Sequence, residues 1–208
     1  RSVSRGLGDV YKRQLDRNVI AAHSVWLNLK EIELYARTRT SVAHCPKSNL
    51  KLASGIADTD TYMKAGINVS IGTDGTASNN TLDMVEEMRF AALLPKGSLH
   101  NPEAVNARTA LRMATINGAK ALGIHHLTGS LEVGKRADLI VIHADASNML
   151  PIYDVYSAIV YASNSKNIRS SMVNGKWIMR NRELMNINKT ETMESMKHIV
   201  NSQIDNRK

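Results

Sequence analysis

The chain is short of features on which several protein classes depend. Cys45 is the only cysteine among 208 residues, which excludes an intrachain disulfide framework and a cysteine-based zinc cluster. No apolar run approaches the roughly 18 residues of a membrane span, and the first residues lack the apolar core of a signal peptide. We therefore expect a cytoplasmic protein with no membrane partner.

Aromatic residues are also scarce, with two Trp, six Tyr and one Phe. This scarcity bears on the net charge of +8, which could otherwise indicate a nucleic-acid groove of basic and aromatic side chains. Residues 1–14 carry four basic residues against one Asp, and the remaining positive charge follows no helix stripe. A solvated, moderately basic surface is the better interpretation, and we expect no nucleic-acid partner.

Hydrophobic residues make up 43% of the chain, and short apolar runs alternate with helical patterns. We predict strands at residues 18–23, 40–44 and 67–71, helices at 29–39, 59–65 and 82–94, and a loop at 45–55. This βαβαβα order predicts a parallel sheet with helices packed outside it, an α/β fold.

The pattern changes in the second part of the chain. A further helix is predicted from Asn101, its N-cap, through Pro102 in the first helical position, to a stop at Gly123. A short strand, an apolar strand at 138–143 and a hairpin at Asn174-Gly175 should follow.

This pattern divides the chain into four segments. They are residues 1–14, whose composition matches nothing that follows and which we set aside as a non-native segment; 15–126, the sheet with its helices; 127–184, a small β domain; and 185–208, a polar terminal helix.

Each of the three early strands ends in a residue able to do chemistry, namely His23, His44 and Asp74. The carboxyl ends of parallel strands meet at one edge, where α/β proteins build their sites. A single histidine there is more simply a core residue with backbone hydrogen bonds, but three such residues in succession favour a site.

Asp74 is the strongest candidate. An ionised carboxylate at the mouth of an apolar strand is costly unless a metal, a cation or several donors compensate it. A turn or helix cap is the alternative explanation. We expect the next helix to begin several residues later, with Asn80 or Thr81 as its cap, which leaves Asp74 free to bind a metal.

Other reactive residues are weaker candidates. His100 and Glu103 have a His-x-x-Glu spacing, but a place at a helix N-terminus explains them. His125 and His126 should lie on the surface, and nothing in the sequence indicates a depressed thiol pKa at Cys45.

Four segments carry a resemblance to a known family. They are AAHSVWL, SVAHCPKSNLKLASGIA, GINVSIGTDGTASNNTLDMVEEMRFAALL and GSLEVGKRADLIVI. In this order and spacing they resemble the C-terminal half of the amidohydrolase superfamily, and within it the 5-methylthioadenosine/S-adenosylhomocysteine deaminases. The resemblance spans Val19 to Leu184. It implies the C-terminal part of a metal-dependent (β/α)8 TIM barrel, with strands six to eight, followed by a small β domain and a terminal helix.

The resemblance also implies roles for three residues. Asp74 corresponds to the aspartate after the eighth strand, which binds one divalent metal, zinc in most members, and exchanges protons with the attacking water. His23 corresponds to a histidine that hydrogen-bonds the metal-bound hydroxide, and His44 to one that supports the pocket. The implied reaction is the deamination of an adenine ring by that hydroxide, with a small purine nucleoside as the partner and no cofactor besides the metal.

The departures from the family pattern limit this expectation. The superfamily takes further ligands from a His-x-His pair and from a histidine after the fifth strand, and this sequence contains no His-x-His. Ser24 stands where relatives usually have Cys or Gly. We therefore expect a C-terminal fragment that neither binds metal tightly nor turns over substrate alone.

Several alternatives stay open. The parent protein could instead be an amidohydrolase that acts on guanine, another purine or a chlorinated triazine. The chain could be a non-catalytic binding module in which Asp74 is a turn residue, and a basic nucleic-acid binder is a third reading. The sequence fixes neither the exact substrate, nor the metal, nor the oligomeric state, so a homo-oligomer also stays open.

Overall fold

A parallel sheet opens the described part of the chain. The computed structural model describes residues 15–205, so the segment 1–14 set aside above lies outside the described residues. The sheet has the order β1 (Ile20–Ala22), β2 (Ser41–His44) and β3 (Val69–Ile71). The central strand β2 pairs with both neighbours, Val42 lying opposite Ala21 on one side and Val69 on the other. The predicted parallel strands are confirmed.

Seven helices connect and cover these strands in residues 15–126. They are α1 (Leu29–Thr38), α2 (Pro46–Lys51), α3 (Thr59–Lys64), α4 (Thr76–Asn79), α5 (Met84–Leu99), α6 (Ala107–Met113) and α7 (Ile116–Ala121). The first begins with a capping box in which Asn28 and Glu31 bond each other's backbone N–H groups, and it ends at Arg39 in the left-handed conformation. The predicted helices 29–39 and 59–65 are confirmed.

Other helix predictions were wrong, for local reasons. The predicted loop 45–55 contains α2, because Pro46 suits the first helical position. The helix α5 is capped by Asp83, whose Oδ1 accepts from the N–H groups of residues 85 and 86, and not by Asn80 or Thr81. It runs to Leu99, beyond the predicted end at 94, with a buried Pro95 inside it.

The helix predicted from Asn101 begins later and is interrupted. Residues 101–105 form a turn, and α6 starts at Ala107 because Asn106 caps it through the N–H of Thr109. The predicted short strand before residue 138 is not formed in the described chain. Gly129, at φ 92°, packs tightly against Ala119 and holds that segment in a turn on α7.

The core lies between the parallel sheet and its outer helices. Its buried side chains come from β2 and β3 and from helices α3, α5 and α6, and they include Val42, Val69, Tyr62, Met88, Ala91, Ala110 and Met113. Burial of these apolar groups holds β2 in the centre of the sheet and fixes where its carboxyl end emerges.

The second sheet is antiparallel. Its order is β4 (Leu139–Ile142), β5 (Ile168–Val173), β6 (Lys176–Arg180) and β7 (Glu183–Leu184). Asn174 and Gly175 join β5 to β6 with φ angles of 48° and 78°, which confirms the predicted hairpin.

Three helical segments lie between β4 and β5, and a fourth follows β7. They are α8 (Val155–Ser157), a π-helical turn at Ala158–Ala162, a 3-10 turn at Ser165–Asn167, and α9 (Lys189–Asp205), the predicted polar terminal helix. Throughout residues 15–205, every helix is too short or too polar to cross a membrane. The domain boundaries at 127 and 185 stay predictions.

Candidate active site

The structure brings His23 and Asp74 together at the carboxyl edge of the parallel sheet. His23 directly follows β1, and Asp74 lies three positions after β3. The distance from His23 Nε2 to Asp74 Oδ2 is 3.9 Å, and the side chains are 39% and 33% exposed. The N–H of His23 donates to the Ala43 carbonyl at 2.9 Å, which fixes the start of its loop. Both groups can therefore meet a ligand from solvent.

Both site residues belong to the eleven described non-glycine residues with positive φ. His23, Ser24 and Asp74 have φ angles of 64°, 48° and 59°. Residues with a Cβ atom are disfavoured in this left-handed region and persist there only when their surroundings hold them. Several turn and helix-end residues of the chain share this conformation, so the roles of His23 and Asp74 stay predictions.

Donors compensate the carboxylate of Asp74. Its Oδ2 accepts a hydrogen bond of 2.6 Å from Ser48 Oγ and another of 2.6 Å from Ser78 Oγ. These hydroxyls, the Ser48 one first, and the Gly75 N–H lower the pKa of Asp74 to about 2. The short α4 begins at Thr76, so the expected gap before the next helix is absent. Gly75 is its N-cap, however, and Asp74 is not a capping residue.

The His23 ring is held from the opposite side. Its Nδ1 lies 2.8 Å from Asn49 Oδ1, and Asn49 is buried. The loop behind the ring is fixed as well, because Tyr62 Oη donates to the Ser24 carbonyl at 2.8 Å and Trp26 Nε1 donates to the Ser54 carbonyl at 2.8 Å.

A buried carboxylate supports the loop that carries Asp74. Glu87 is fully buried on α5, and its Oε1 accepts from Asn79 Nδ2 at 2.6 Å while its Oε2 accepts from the Lys47 N–H at 3.2 Å. Burial raises the pKa of Glu87 against the opposing effect of these donors. Asn79 also donates to the Thr73 carbonyl, and Lys51 Nζ donates to the Ala77 carbonyl at 2.8 Å. The loop is thus fixed on both sides of Asp74.

His44 and Cys45 lie at the same edge but are buried. Neither ring nitrogen of His44 has a hydrogen-bond partner in the described chain. Burial, and then the charge of His23, lower the pKa of His44 to about 4, so the ring is neutral at pH 7. Burial, with the charges of Asp74 and Glu87, raises the pKa of Cys45 to about 11. This agrees with the expectation that Cys45 is not an activated thiol.

The weaker candidates lie in exposed turns. His100 ends α5 at φ 50°, and the Glu103 N–H donates to Asn101 Oδ1, so the interpretation as a helix N-terminus was wrong. His125 and His126 contact each other edge to face, with ring centroids 6.1 Å apart, and both are exposed as expected.

The described residues do not form a metal site by themselves. Ser24 Oγ, both His44 nitrogens and Asn49 Nδ2 are buried and have no partner within residues 15–205, so unmet polar groups gather around the site. Asp74 and His23 are ligand types, but no third His, Cys, Asp or Glu side chain in the described ranges completes a group able to hold a metal ion.

Sequence reasoning missed the residues that hold the site. Ser48 and Asn49 were placed in the predicted loop 45–55, and Ser78 was not named as a site residue. The Cys45-Pro46 dipeptide was the available signal, because a proline after a strand end suits the first position of a helix. No sequence signal pairs these residues with His23 or Asp74.

The amidohydrolase family matches this chain over residues 6–178. A 5-methylthioadenosine/S-adenosylhomocysteine deaminase of Moorella thermoacetica is 48% identical over 177 residues, which are 85% of this chain and 41% of that protein. A 5'-deoxyadenosine deaminase of Methanobrevibacter smithii is 46% identical over 178 residues, again 85% of this chain and 41% of the relative. The chain thus spans about two fifths of the length of these relatives.

Solved structures agree in fold. An adenosine deaminase from Xanthomonas campestris with bound zinc superposes with a TM-score of 0.90 at 38% identity, over 92% of this chain and 44% of that one. An atrazine chlorohydrolase from Arthrobacter aurescens complexed with zinc gives a TM-score of 0.84 at 28% identity, over 89% of this chain and 41% of that one.

Proposed function

This chain belongs to the amidohydrolase family, and from that premise we propose that it is the C-terminal part of a metal-dependent deaminase. The substrate is the adenine ring of a nucleoside such as 5-methylthioadenosine, S-adenosylhomocysteine or 5'-deoxyadenosine, the substrates named for its relatives. In this proposal β1, β2 and β3 are strands six to eight of a (β/α)8 barrel. The observation that carries it is the ionised Asp74, held beside His23 at the carboxyl edge of the parallel strands.

Asp74 and His23 have different roles in the proposed proton transfer. Deamination adds the oxygen of water to the six-position carbon of the ring and releases ammonia, so a proton must leave the water and reach the departing nitrogen. The carboxylate of Asp74 is ionised at neutral pH and can take that proton and pass it on. His23, 3.9 Å away, is placed to accept a hydrogen bond from the same water through Nε2.

The metal is a separate part of the proposal. Zinc is the metal named for both solved relatives described above, and Asp74 is the residue of this chain that would bind it. A metal bound there would make water acidic enough to ionise near neutral pH. Residues 15–205 lack a complete ligand group, so the remaining ligands would come from the part of the protein that this chain does not span.

A fusion protein provides the test. It joins the part of the Moorella thermoacetica relative that precedes the matched region to residues 15–208 of this chain. We expect metal-dependent release of ammonia from one of the three nucleosides, and Asp74→Asn should reduce kcat at least about 100-fold. Asp145→Asn, a change at an exposed loop position, is the matched control and should keep the activity.

Two results would overturn the proposal. One is a folded fusion protein in which Asp74→Asn is as active as the parent fusion, which would make Asp74 a turn residue as in the binding-module alternative. The other is an enzymatic rate from the purified 208-residue chain alone, which would contradict its reading as a fragment.

A triazine hydrolase is the second candidate. Its support is the superposition on the atrazine chlorohydrolase at a TM-score of 0.84, although the 28% identity is below that of the deaminases. Chloride release from atrazine by the fusion protein, without ammonia release from any nucleoside, would favour it.

A further inference from the structure

Two consecutive residues of α2 contact the two candidate catalytic residues. Ser48 Oγ donates to Asp74 Oδ2 at 2.6 Å, and Asn49 Oδ1 lies 2.8 Å from His23 Nδ1. Both α2 residues are buried, Ser48 completely and Asn49 to all but 2%. One short helix thus contacts both sides of the site.

The position of α2 follows from the sheet. It begins at Pro46, two residues after the end of the central strand β2, whose neighbours are β1 and β3. The loops that carry His23 and Asp74 follow those two neighbours and therefore lie on either side of α2. Consecutive residues of a helix point about 100° apart, so Ser48 and Asn49 can reach opposite loops.

The orientation of the Asn49 amide sets which kind of group faces Nδ1 of His23. In the structure the amide oxygen of Asn49 faces the ring, and an amide oxygen accepts hydrogen bonds and cannot donate them, so in this orientation of the amide Nδ1 carries the proton. In the neutral ring Nε2 then holds a lone pair. Nε2 is the ring atom that lies 3.9 Å from Asp74 Oδ2, so the lone pair is on the nitrogen next to the carboxylate.

The contact from Ser48 is not a helix cap. The N-terminus of α2 has no side-chain cap bond, so the hydroxyl does not serve its own helix. It shares Oδ2 with Ser78, which lies four residues after Asp74 in the adjoining helix α4. Ser48 therefore ties the carboxylate to α2, a helix distant from Asp74 in sequence.

We propose that Ser48 and Asn49 are positioning residues, Asn49 by holding His23 in the tautomer with the proton on Nδ1 and Ser48 by fixing the orientation of the Asp74 carboxylate. The catalytic meaning of this arrangement rests on the proposed function. The tautomer is a property of the chain that can be measured without activity.

Nitrogen NMR of the histidine rings tests the role of Asn49. Spectra of the 208-residue chain at neutral pH, with His23 assigned by His23→Gln, should show the proton on Nδ1. Asn49→Leu should move it towards Nε2, and Asn49→Asp, which keeps an acceptor oxygen, should restore Nδ1. Asn68→Leu removes an amide that bonds Ser41 and Asn117 and should leave His23 unchanged.

Two NMR results would overturn the proposal for Asn49: a proton on Nε2 in the unmodified chain, or a tautomer that Asn49→Leu does not change. Recording the same spectra on the metal-free fusion protein keeps the test decisive if the chain alone gives no folded spectrum.

Kinetics of the fusion protein test Ser48. Ser48→Ala should lower kcat by about 10 to 100-fold with little change in KM, the range seen when a residue that orients a ligand is removed. Ser48→Thr keeps a hydroxyl and should recover part of the loss. The control Ser98→Ala, on the exposed end of α5, should have no effect. An unchanged kcat, or a change in KM alone, would contradict the positioning role.

The two proposals can fail separately. If Asn49 controls the tautomer but the folded fusion protein deaminates none of the nucleosides, the proposed function is wrong and the positioning of His23 stands. If the fusion protein is active but the tautomer does not respond to substitution of Asn49, the proposed function stands and the positioning role of Asn49 is wrong.

Discussion

The buried His44 offers a quantitative test of how the carboxyl edge of β2 is built. Its side chain is 1% exposed, and its two ring nitrogens have no partner among the described residues. A buried polar group without a partner costs about 1–3 kcal/mol, and a mismatch in shape costs up to about 1.5 kcal/mol. We therefore expect His44→Leu to raise the free energy of unfolding by about 1–2 kcal/mol at pH 7.5.

The stability advantage of His44→Leu over the native chain should grow as the pH falls. The pKa of His44 is about 4 in the folded chain, against 6.5 for an ordinary histidine. Between these values the unfolded chain binds the proton and the folded chain does not, so the native protein loses stability as the pH falls from 6.5 to 4. At pH 4.5 this loss is about 2.5 kcal/mol. The leucine variant escapes it, so its advantage over the native chain should reach about 4 kcal/mol.

Urea unfolding followed by far-UV circular dichroism at pH 7.5 and 4.5 measures both effects. The difference between variant and native chain isolates His44, because the other titrating groups are common to both. His44→Gln separates the two causes, since it cannot titrate but keeps a buried polar group. It should flatten the pH dependence without the gain at pH 7.5. The reasoning is refuted if the difference between His44→Leu and the native chain is the same at both pH values.

Three further outcomes test other parts of the chain. Ser24→Gly should raise the free energy of unfolding, measured with urea, by about 1 kcal/mol, because glycine accepts φ 48° and the change removes a buried hydroxyl that has no partner in the described chain. A lower free energy of unfolding would contradict this. Gly175→Ala should lower the free energy of unfolding by about 1 kcal/mol, because Gly175 has φ 78°. Gly118→Ala should raise it by up to about 1 kcal/mol, because Gly118 lies inside α7 with open space around it. Equal effects of the two substitutions would refute this. Cys45, with a pKa of about 11, should react with a disulfide reagent only after unfolding, and fast labelling of the native chain would be inconsistent with its burial.

Local signals predicted much of the fold. Three apolar runs with helical patterns between them gave the parallel order of β1, β2 and β3, and Asn174-Gly175 gave the hairpin of the second sheet. The errors fell on helix ends and short helices. Asp83 caps α5 in place of Asn80 or Thr81, and α2 forms within a predicted loop. Several residues of such segments suit a cap or a turn, and tertiary packing determines which of them takes that role.

The sequence by itself determined that His23 and Asp74 each follow the end of an apolar strand, because strand ends are visible in the change from apolar to polar residues. Which side chains hold them was decided only by the tertiary structure. Ser48 and Asn49 lie 26 positions from Asp74 and His23, respectively, so no periodic pattern links them. These residues come into contact because β2 pairs with strands on both sides, which places α2 between the two loops. The same packing buries His44 and so lowers its pKa.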